Sequence, residues 1–508
     1  MHECPPAVAR PRGPAARPGL SAAEPLPALA AVATAFVVVQ LVLVVPGSGL
    51  AWDETVYVSQ VGGNAPPAYF SAPRARGISY LVAPVAMLTA STAALRIYLA
   101  LMSGAALLLA LWVWRRTLPT PVLVCAGLLF TGLWPTLFYG PAAMPNLWCA
   151  LGAVAATGWV VRSLYGATGR REEVGAGTAV AFVALMRPSD GFWLALPLVL
   201  LTATAPGRRR PRTSAALVAG LVAGCAPWTA EAYARYGGLQ ARLHRAGEIQ
   251  GGLGWNLAVD DHLRALAGRT LCRPCDISWE SPGTAVWWLL LPLLVVGGIG
   301  AARRAGRGTA ALLAAVTGVS TAIPYLFLVE YAAPRFLLPA YALLALPVAE
   351  HLTDLLARAR RAHRPVGLAA LTLALAAHLA VQLSTLSHVV RTSRATSGEF
   401  TEVAEALNSL GLRPPCVISG ADAVPIAYYA GCASRQTEGH DASISEEELR
   451  ALARTVPTAV LSPGDAAVAP SADGSRTVRL LHGTESYLAR LLPRPEREGA
   501  GTPVARAR

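Results

Sequence analysis

The chain contains no lysine: all 43 of its basic residues are arginine. Charge of either sign is scarce, at 14% of 508 residues, whereas a soluble domain carries about a quarter. So few charges do not cover a water-facing surface. This excludes the string of soluble domains that the length alone would allow. No basic stripe interleaved with aromatic residues offers a platform for nucleic acid, so the net charge of +13 does not point to that partner. The arginines stand instead in short clusters between apolar runs, where they orient helices and face lipid headgroups.

What the chain does have is hydrophobic residues, 54% of the total, in runs near the roughly 20 residues that cross a bilayer. Spans begin near Ala28, Ile97, Thr120, Pro145, Thr213, Thr284, Thr309, Arg335 and Val366. A shorter pair, 174–186 and 191–205, is broken by Arg187-Pro-Ser-Asp190. The expectation is a mainly α, polytopic membrane protein of about eleven transmembrane helices. The apolar stretch 77–90 is too short to span and reads as a surface or re-entrant helix. Residues 1–27, rich in proline and arginine, read as a disordered cytoplasmic arm, and 28–45 lacks a cleavage site and reads as a retained first span.

Arginine placement sets the orientation. With the N-terminus inside, the inner connections hold Arg115 and Arg116; Arg162, Arg170 and Arg171; Arg208 to Arg210 and Arg212; Arg303, Arg304 and Arg307; and Arg358, Arg360, Arg361 and Arg364. The short outer connections hold none at 139–144, then Arg187 alone and Arg335 alone. Counting 77–90 as a span would put every later cluster outside. The expected layout is a membrane domain over 28–390, with a first outer loop at 48–96 and a large one at 231–283. An extracytoplasmic α/β domain over 391–493 and a disordered tail over 494–508 follow. In that α/β domain an amphipathic helix is expected at 399–410, strands at 416–419, 458–462 and 477–482, and a helix at 446–454 opened by a capping box from Ser443 or Ser445.

Cysteine placement agrees with this layout. Cys272 and Cys275 fall in the large outer loop, and Cys416 and Cys432 in the C-terminal domain, where disulfides form. A disulfide between Cys416 and Cys432 is expected. Cys272-Arg-Pro-Cys275 reads as a structural disulfide, a pair of free thiols or half of a zinc site; no second pair or histidine cluster completes the last. Cys125, Cys149 and Cys225 lie in spans and read as core residues.

The conspicuous polar residues all fall on the outer side. Right after the first span comes Ala51-Trp-Asp-Glu-Thr-Val-Tyr57, then Ser71-Ala-Pro-Arg-Ala-Arg-Gly77. Carboxylates and guanidiniums this close to hydrocarbon are paired or used. If Asp53 begins a helical turn, Tyr57 shares its face and Glu54 points elsewhere, so one carboxylate is reactive and the other a partner or a cap. The plain alternative is that both cap a surface helix. Three further segments join them: Phe138-Tyr-Gly-Pro-Ala-Ala-Met-Pro-Asn146, Met186-Arg-Pro-Ser-Asp190 and Glu330-Tyr-Ala-Ala-Pro-Arg-Phe-Leu-Leu-Pro339. Taken singly, Arg187 with Asp190 is an interfacial ion pair and Arg335 a headgroup anchor. Together they mark an outer-facing site.

With these segments in this order, and with Ala427-Tyr-Tyr-Ala-Gly431 in the tail domain, the chain resembles the GT-C fold glycosyltransferases, related to protein mannosyltransferases and the aminoarabinose transferase of lipid A. The resemblance implies that Asp53 is the general base, that Glu54 holds the acceptor or orients the base, and that Arg74 and Arg76 contact a donor phosphate. Arg187 and Arg335 join them at the phosphate, and Tyr57, Tyr139, Asn146, Asp190, Glu330 and Tyr331 bind substrate. Many relatives carry Lys-Pro-Pro or Tyr-Pro-Pro where this chain has Arg74-Ala-Arg76, and an acidic residue where it has Asn146, which weakens a two-carboxylate metal site. No cofactor is implied with certainty, though a divalent metal belongs to the family's range. The implied activity is an inverting hexosyltransferase in the cell membrane. Its donor is a sugar on a polyprenyl phosphate, and its acceptor a glycan, lipid or protein on the outer face. A lipid or polysaccharide transporter or flippase would show repeats or charges near span midpoints; a non-catalytic scaffold of the same fold is the other alternative.

Overall fold

The structure, a computed structural model, describes residues 25–492 apart from 167–168, 253, 274, 276–277, 280, 464–474 and 483–484. Most of the expected N-terminal arm and the whole of the expected tail 494–508 lie outside these residues. The chain opens with α1 (Leu26–Val39), which runs into a π-helical turn, Gln40–Val44. Then follow α2 (Trp52–Ser59), α3 (Gly77–Ala86), α4 (Thr92–Val113), α5 (Thr120–Thr131), α6 (Trp134–Tyr139) and α7 (Pro145–Leu164). Next come α8 (Arg170–Met186), α9 (Pro188–Thr204), α10 (Pro211–Arg235), α11 (Leu239–Ile249) and α12 (Val259–Ala265). The last membrane helices are α13 (Val286–Arg304), α14 (Gly308–Phe327), α15 (Leu338–Arg361) and α16 (Pro365–Ser409).

Local chemistry sets these limits. Prolines open α7, α9, α10 and α16 at the first helical position, where the missing N–H costs nothing and φ is already helical. Ser91 caps α4 by accepting from the Ala94 N–H at 3.3 Å. Among the described residues eight helices are long and apolar enough to cross a membrane: α1 with its π turn, α4, α7, α10, α13, α14, α15 and α16. The other three expected spans are helices in the expected places but shorter, with 12 residues in α5 and 17 in each of α8 and α9. The stretch expected at the surface is α3, of 10 residues.

One expectation needs correcting. No separate amphipathic helix occupies 399–410; α16 is continuous for 45 residues. At 1.5 Å per residue it is about 67 Å long, roughly twice the hydrocarbon thickness. Its first half is largely exposed, with Val366 at 80%, as a lipid-facing helix is. Its second half buries Phe400, Val403 and Leu407 in the core of the C-terminal domain beside Ile418, Ile426 and Leu461. That domain holds β1 (Val417–Gly420), α17 (Ala423–Ala430), β2 (Ala433–Ser434), α18 (Glu446–Ala453), β3 (Thr458–Pro463), β4 (Arg476–His482) and β5 (Glu485–Leu491). The sheet order is β2-β1-β3-β5-β4, with β1 parallel to β2 and β3, and β5 antiparallel to β3 and β4. Strands β2 and β5 are not legible in the sequence reading. Of the two possible capping boxes, Ser445 with Glu448 is the one formed.

The C-terminal domain is fastened to the segment between α1 and α3. The Leu50 N–H donates to Tyr429 Oη at 2.6 Å, Asn64 Nδ2 donates to the Tyr428 carbonyl at 2.7 Å, and the Gly49 N–H donates to Ser397 Oγ at 3.2 Å. A disulfide joins Cys416 to Cys432, holding the start of β1 to the start of β2.

Candidate active site

The site is built on α2. Glu54, the third residue of the helix, turns back and accepts from the Ala51 N–H at 3.0 Å, as an acidic residue does in the first turn. Its other partners come from distant segments: Arg96 Nη1 and Nη2 donate at 2.7 Å each, and the Ala143 N–H at 2.7 Å. Each carboxylate oxygen thus accepts two hydrogen bonds and the residue is buried. The two Arg96 amino groups also donate to the Pro141 and Gly49 carbonyls. Glu54 therefore holds α2, α4 and the 140–143 turn together. With both oxygens filled by protein donors it holds no acceptor, which corrects one of the two roles expected for it; it steadies the helix that carries Asp53.

Asp53, one residue earlier, projects the other way. Its Oδ1 pairs with Arg74 Nη2 at 2.8 Å and its Oδ2 with Arg335 Nη2 at 3.2 Å. Its side chain remains 32% exposed, and it stands in the wall shared by two cavities of about 500 and 510 Å³. The first cavity is lined by Tyr57, Arg74, Asn146, Arg187, Arg273 and Arg335, with loops of the C-terminal domain opposite. The second is lined by the end of the first span, Tyr139, the segment 267–271 and the middle of α16 from His388 to Phe400. Burial raises the Asp53 carboxyl, but Arg74 and Arg335, with Arg187 behind them, outweigh it and hold its pKa below the ordinary 3.8. Tyr57, one turn along α2, carries Arg74 over its ring at 5.4 Å. Burial pushes its phenol up, so it stays protonated.

Arg74 is placed by a residue the sequence reading missed. Arg242, fully buried, donates to the carbonyls of Ala72, Arg74 and Trp228 at 3.0, 3.0 and 2.6 Å and pairs with Glu231 at 3.1 Å. Gly77 lets α3 begin in contact with the end of α8; a Cβ there would lie 2.6 Å from the Leu185 carbonyl oxygen. This close approach brings the Arg74 loop beside Arg187. Arg187 lies beside two stacked rings, 5.2 Å from Tyr325 and 5.1 Å from Phe336, with Asp190 at 3.9 Å. Asp190, buried, accepts from the Tyr325 hydroxyl and does not line the first cavity, so it positions Arg187 rather than touching substrate.

Two other expected residues point away. Arg76 is committed to Glu231 at 2.6 Å and Gln60 at 2.7 Å, stacked on Phe70 at 3.9 Å, so it ties the loop to α10 and lines neither cavity. Glu330 is exposed against Gly251, outside both cavities. Its neighbour Tyr331 does line the first cavity and carries Arg273 at 4.7 Å over its ring. A disulfide between Cys272 and Cys275 and a bridge from Cys272 to Ala332 fix that segment. The Thr270 carbonyl beside it accepts from Arg335 Nη1 at 2.8 Å. Tyr139 accepts from the same nitrogen at 3.4 Å. Arg273 and Arg96 escaped notice, yet an arginine inside the 22-residue apolar α4 was itself a signal that it needed a partner.

A divalent ion wants several hard oxygen ligands. Asp53 is occupied by two guanidiniums, and Asn146, which lines the same cavity, offers an amide and no carboxylate. Among the described residues no group of three or more His, Cys, Asp or Glu could hold a metal. The residues present do not fit a two-carboxylate site.

The arginine clusters gather at the opposite end of the bundle. Helix α7 has Asn146 at its start and Arg162 at its end, where Arg162 pairs with Glu172 at 2.7 Å. Nearby, Arg210 donates to the Ser163 carbonyl at 3.2 Å, Arg208 to Thr309 at 3.0 Å and Arg307 to both Glu350 oxygens at 2.7 Å.

A multi-pass helical bundle, a short helix after the first span bearing an acid among arginines, and a small α/β domain on the same end define a membrane protein of the GT-C-like fold class. Comparison with solved structures identifies that fold. ArnT from Cupriavidus metallidurans bound to undecaprenyl phosphate superposes at TM-score 0.64 and 12% identity, over 91% of this chain and 97% of its own. Its apo state gives 0.60 at 11% identity over the same shares. The oligosaccharyltransferase AglB from Archaeoglobus fulgidus, in complex with an inhibitory peptide and a dolichol-phosphate, gives 0.51 at 13%, over 83% of this chain and 64% of its own. Neither a protein-family model nor a curated protein sequence matches the chain.

Proposed function

We propose that this chain is a glycosyltransferase that moves a sugar from a polyprenyl-phosphate donor to an acceptor hydroxyl at the outer face of the membrane. The observation that carries the reading is Asp53, a single carboxylate in the wall between two cavities, paired with two arginines. Fold likeness to proteins solved with undecaprenyl phosphate and with dolichol-phosphate supports the donor class. The gathering of the arginine clusters at the far end supports a cytoplasmic N-terminus.

A carboxylate held by two guanidiniums is a weak base, and the donor removes that handicap. Its phosphate enters the wall of Arg74, Arg187 and Arg335, and charge-assisted, bidentate bonding draws Arg74 and Arg335 from Asp53 to the phosphate oxygens. Asp53, freed of its partners, regains basicity. The acceptor oxygen then attacks the anomeric carbon in line, and its proton passes to Asp53. The bond from that carbon to the phosphate oxygen breaks, and polyprenyl phosphate leaves with the electron pair, its charge held by the arginines. A single displacement inverts the anomeric centre. Tyr57, Tyr139, Asn146 and Tyr331 line the cavities and contact the two substrates.

The test is the full-length protein in proteoliposomes with radiolabelled polyprenyl-phosphate hexose and a membrane extract supplying acceptors. Label in a new glycosidic bond is the expected result. Label moved across the bilayer without a new bond would mark a transporter and sink the proposal; no movement of either kind would mark a scaffold.

A further inference from the structure

The first cavity has two walls of opposite charge. One, from the membrane part, carries Arg74, Arg187, Arg273 and Arg335; the other, from the C-terminal domain, carries Asp422, Glu438 and Asp441. His440 stands among the latter, and burial, together with Arg273 nearby, lowers its pKa, so it is neutral at pH 7. Three carboxylates thus face the arginines across the cavity.

The position of that wall in the sheet is as telling as its charge. Asp422 follows the carboxyl end of β1, and Glu438 to Asp441 follow the carboxyl end of β2, and these two strands are parallel. From β1 the chain turns to β2 on one side, then crosses back to β3 on the other side of β1. In open sheets with parallel strands, ligands bind outside the carboxyl ends, where the strand order reverses. Gly420 closes β1 there at φ 89°, so tightly packed that a Cβ would lie 2.0 Å from the Leu461 carbonyl oxygen. Gln436 pins the two loops to each other by exchanging hydrogen bonds with the Gly420 N–H and carbonyl, at 3.2 and 3.1 Å. The Trp52 Nε1–H donates to Asp441 at 3.1 Å, which joins the wall to the residue before Asp53. Between the walls, Asn146 lines the cavity, is only 1% exposed, and its Nδ2 has no hydrogen-bond partner.

We propose that the loops after β1 and β2, through Asp422, Glu438 and Asp441, form the acceptor half of the site and that they take an uncharged, polyhydroxylated glycan. Carboxylates accept hydrogen bonds and donate none, so they match a surface of hydroxyl groups. An anionic acceptor meets like charge on this wall and is disfavoured. The donor phosphate keeps the arginine wall, and the acceptor hydroxyl nearest Asp53 is the one that reacts. The proposal rests on the glycosyltransferase reading and specifies its acceptor.

The test titrates full-length protein in nanodiscs with three neutral or acidic probes, N-acetylchitotriose, mannotriose and trigalacturonate, followed by ligand-observed NMR with and without polyprenyl phosphate. At least one neutral trisaccharide is expected to bind, and trigalacturonate to bind at least tenfold more weakly. Glu438→Gln combined with Asp422→Asn should weaken the neutral trisaccharide about tenfold or more and leave polyprenyl-phosphate affinity unchanged. Glu438→Gln alone, at an exposed position, should weaken it in the same direction if the double variant unfolds. Equal binding of the neutral probe by wild type and variants, no binding of either neutral probe, or preference for trigalacturonate would overturn the acceptor assignment. Failure of the wild type to bind polyprenyl phosphate is read separately and strikes the glycosyltransferase reading instead.

Discussion

At the scale of single residues, Asp53 and Glu54 are adjacent, alike in chemistry and opposite in use. Asp53→Asn keeps shape and most hydrogen bonding but removes the proton acceptor. Turnover should fall by about 10²- to 10⁴-fold, while polyprenyl-phosphate binding and thermal stability in detergent persist; near-normal transfer would end its role as base. The pH profile tests the exchange of arginines. In the free protein Arg74 and Arg335 hold the carboxyl below 3.8, so it stays ionised down to acid pH and kcat/KM for the donor should show no acid limb between pH 5 and 8. With the phosphate bound the pKa rises, so the acid limb of kcat should lie at higher pH than that of kcat/KM. Coincident limbs would rule out the exchange. Glu54→Gln strips a buried charge from Arg96, and breaking such a pair costs about 3–5 kcal/mol. The expected outcome is loss of folded protein in a size-exclusion profile, not a folded enzyme with reduced turnover. The sequence showed that Asp53 and Glu54 point apart on a helix. It did not show which was committed, because the partners Arg96 and Ala143 come from other turns of the chain.

At the scale of elements, local pattern was legible where the signal is local. Proline starts, apolar runs and the Ser445 capping box all sit in the sequence within a turn of where they act. The length of α16 was not legible, because the change from apolar to polar composition looks like a boundary and is only a change of surroundings along one helix. Strand β2, two residues long, offers no periodicity to read. The loop carrying Arg74 has the same lesson for function: its shape is imposed by Arg242, contributed by a helix far along the chain. Arg242→Ala should therefore raise the dissociation constant for polyprenyl phosphate by roughly tenfold, since one misplaced charge-assisted contact is worth about 1.5–3 kcal/mol at most. Turnover at saturating donor should change less. If turnover fell and donor affinity did not, Arg242 would not act through Arg74.

At the scale of the whole molecule, every residue assigned to the site lies at one end of the bundle and every arginine cluster of the short connections at the other. The two ends are joined by single helices: α7 from Asn146 to Arg162, α8 from the Arg170 cluster to Arg187, and α15 from just after Arg335 to the Glu350–Arg307 pair. This fixes their relative sides whichever way the protein is inserted. Insertion itself follows arginine density in the short connections, and the proposed function rests on the orientation this rule predicts, with the clusters in the cytoplasm and the site outside, where a sugar on a polyprenyl carrier is presented and nucleotide sugars are not expected. Alkaline phosphatase fused after Gly411, past the end of α16, should be active, because the enzyme folds only where its disulfides form. The same reporter fused after Arg212, among the clustered arginines, should be inactive. Native pairing of Cys416 with Cys432 belongs to the same argument, and alkylation of the unreduced, folded protein should find both thiols blocked. Reporter activity after Arg212 with silence after Gly411 would turn the molecule over. The site would then face the cytoplasm, and with it the case for a lipid-linked donor would lose its chemical reason.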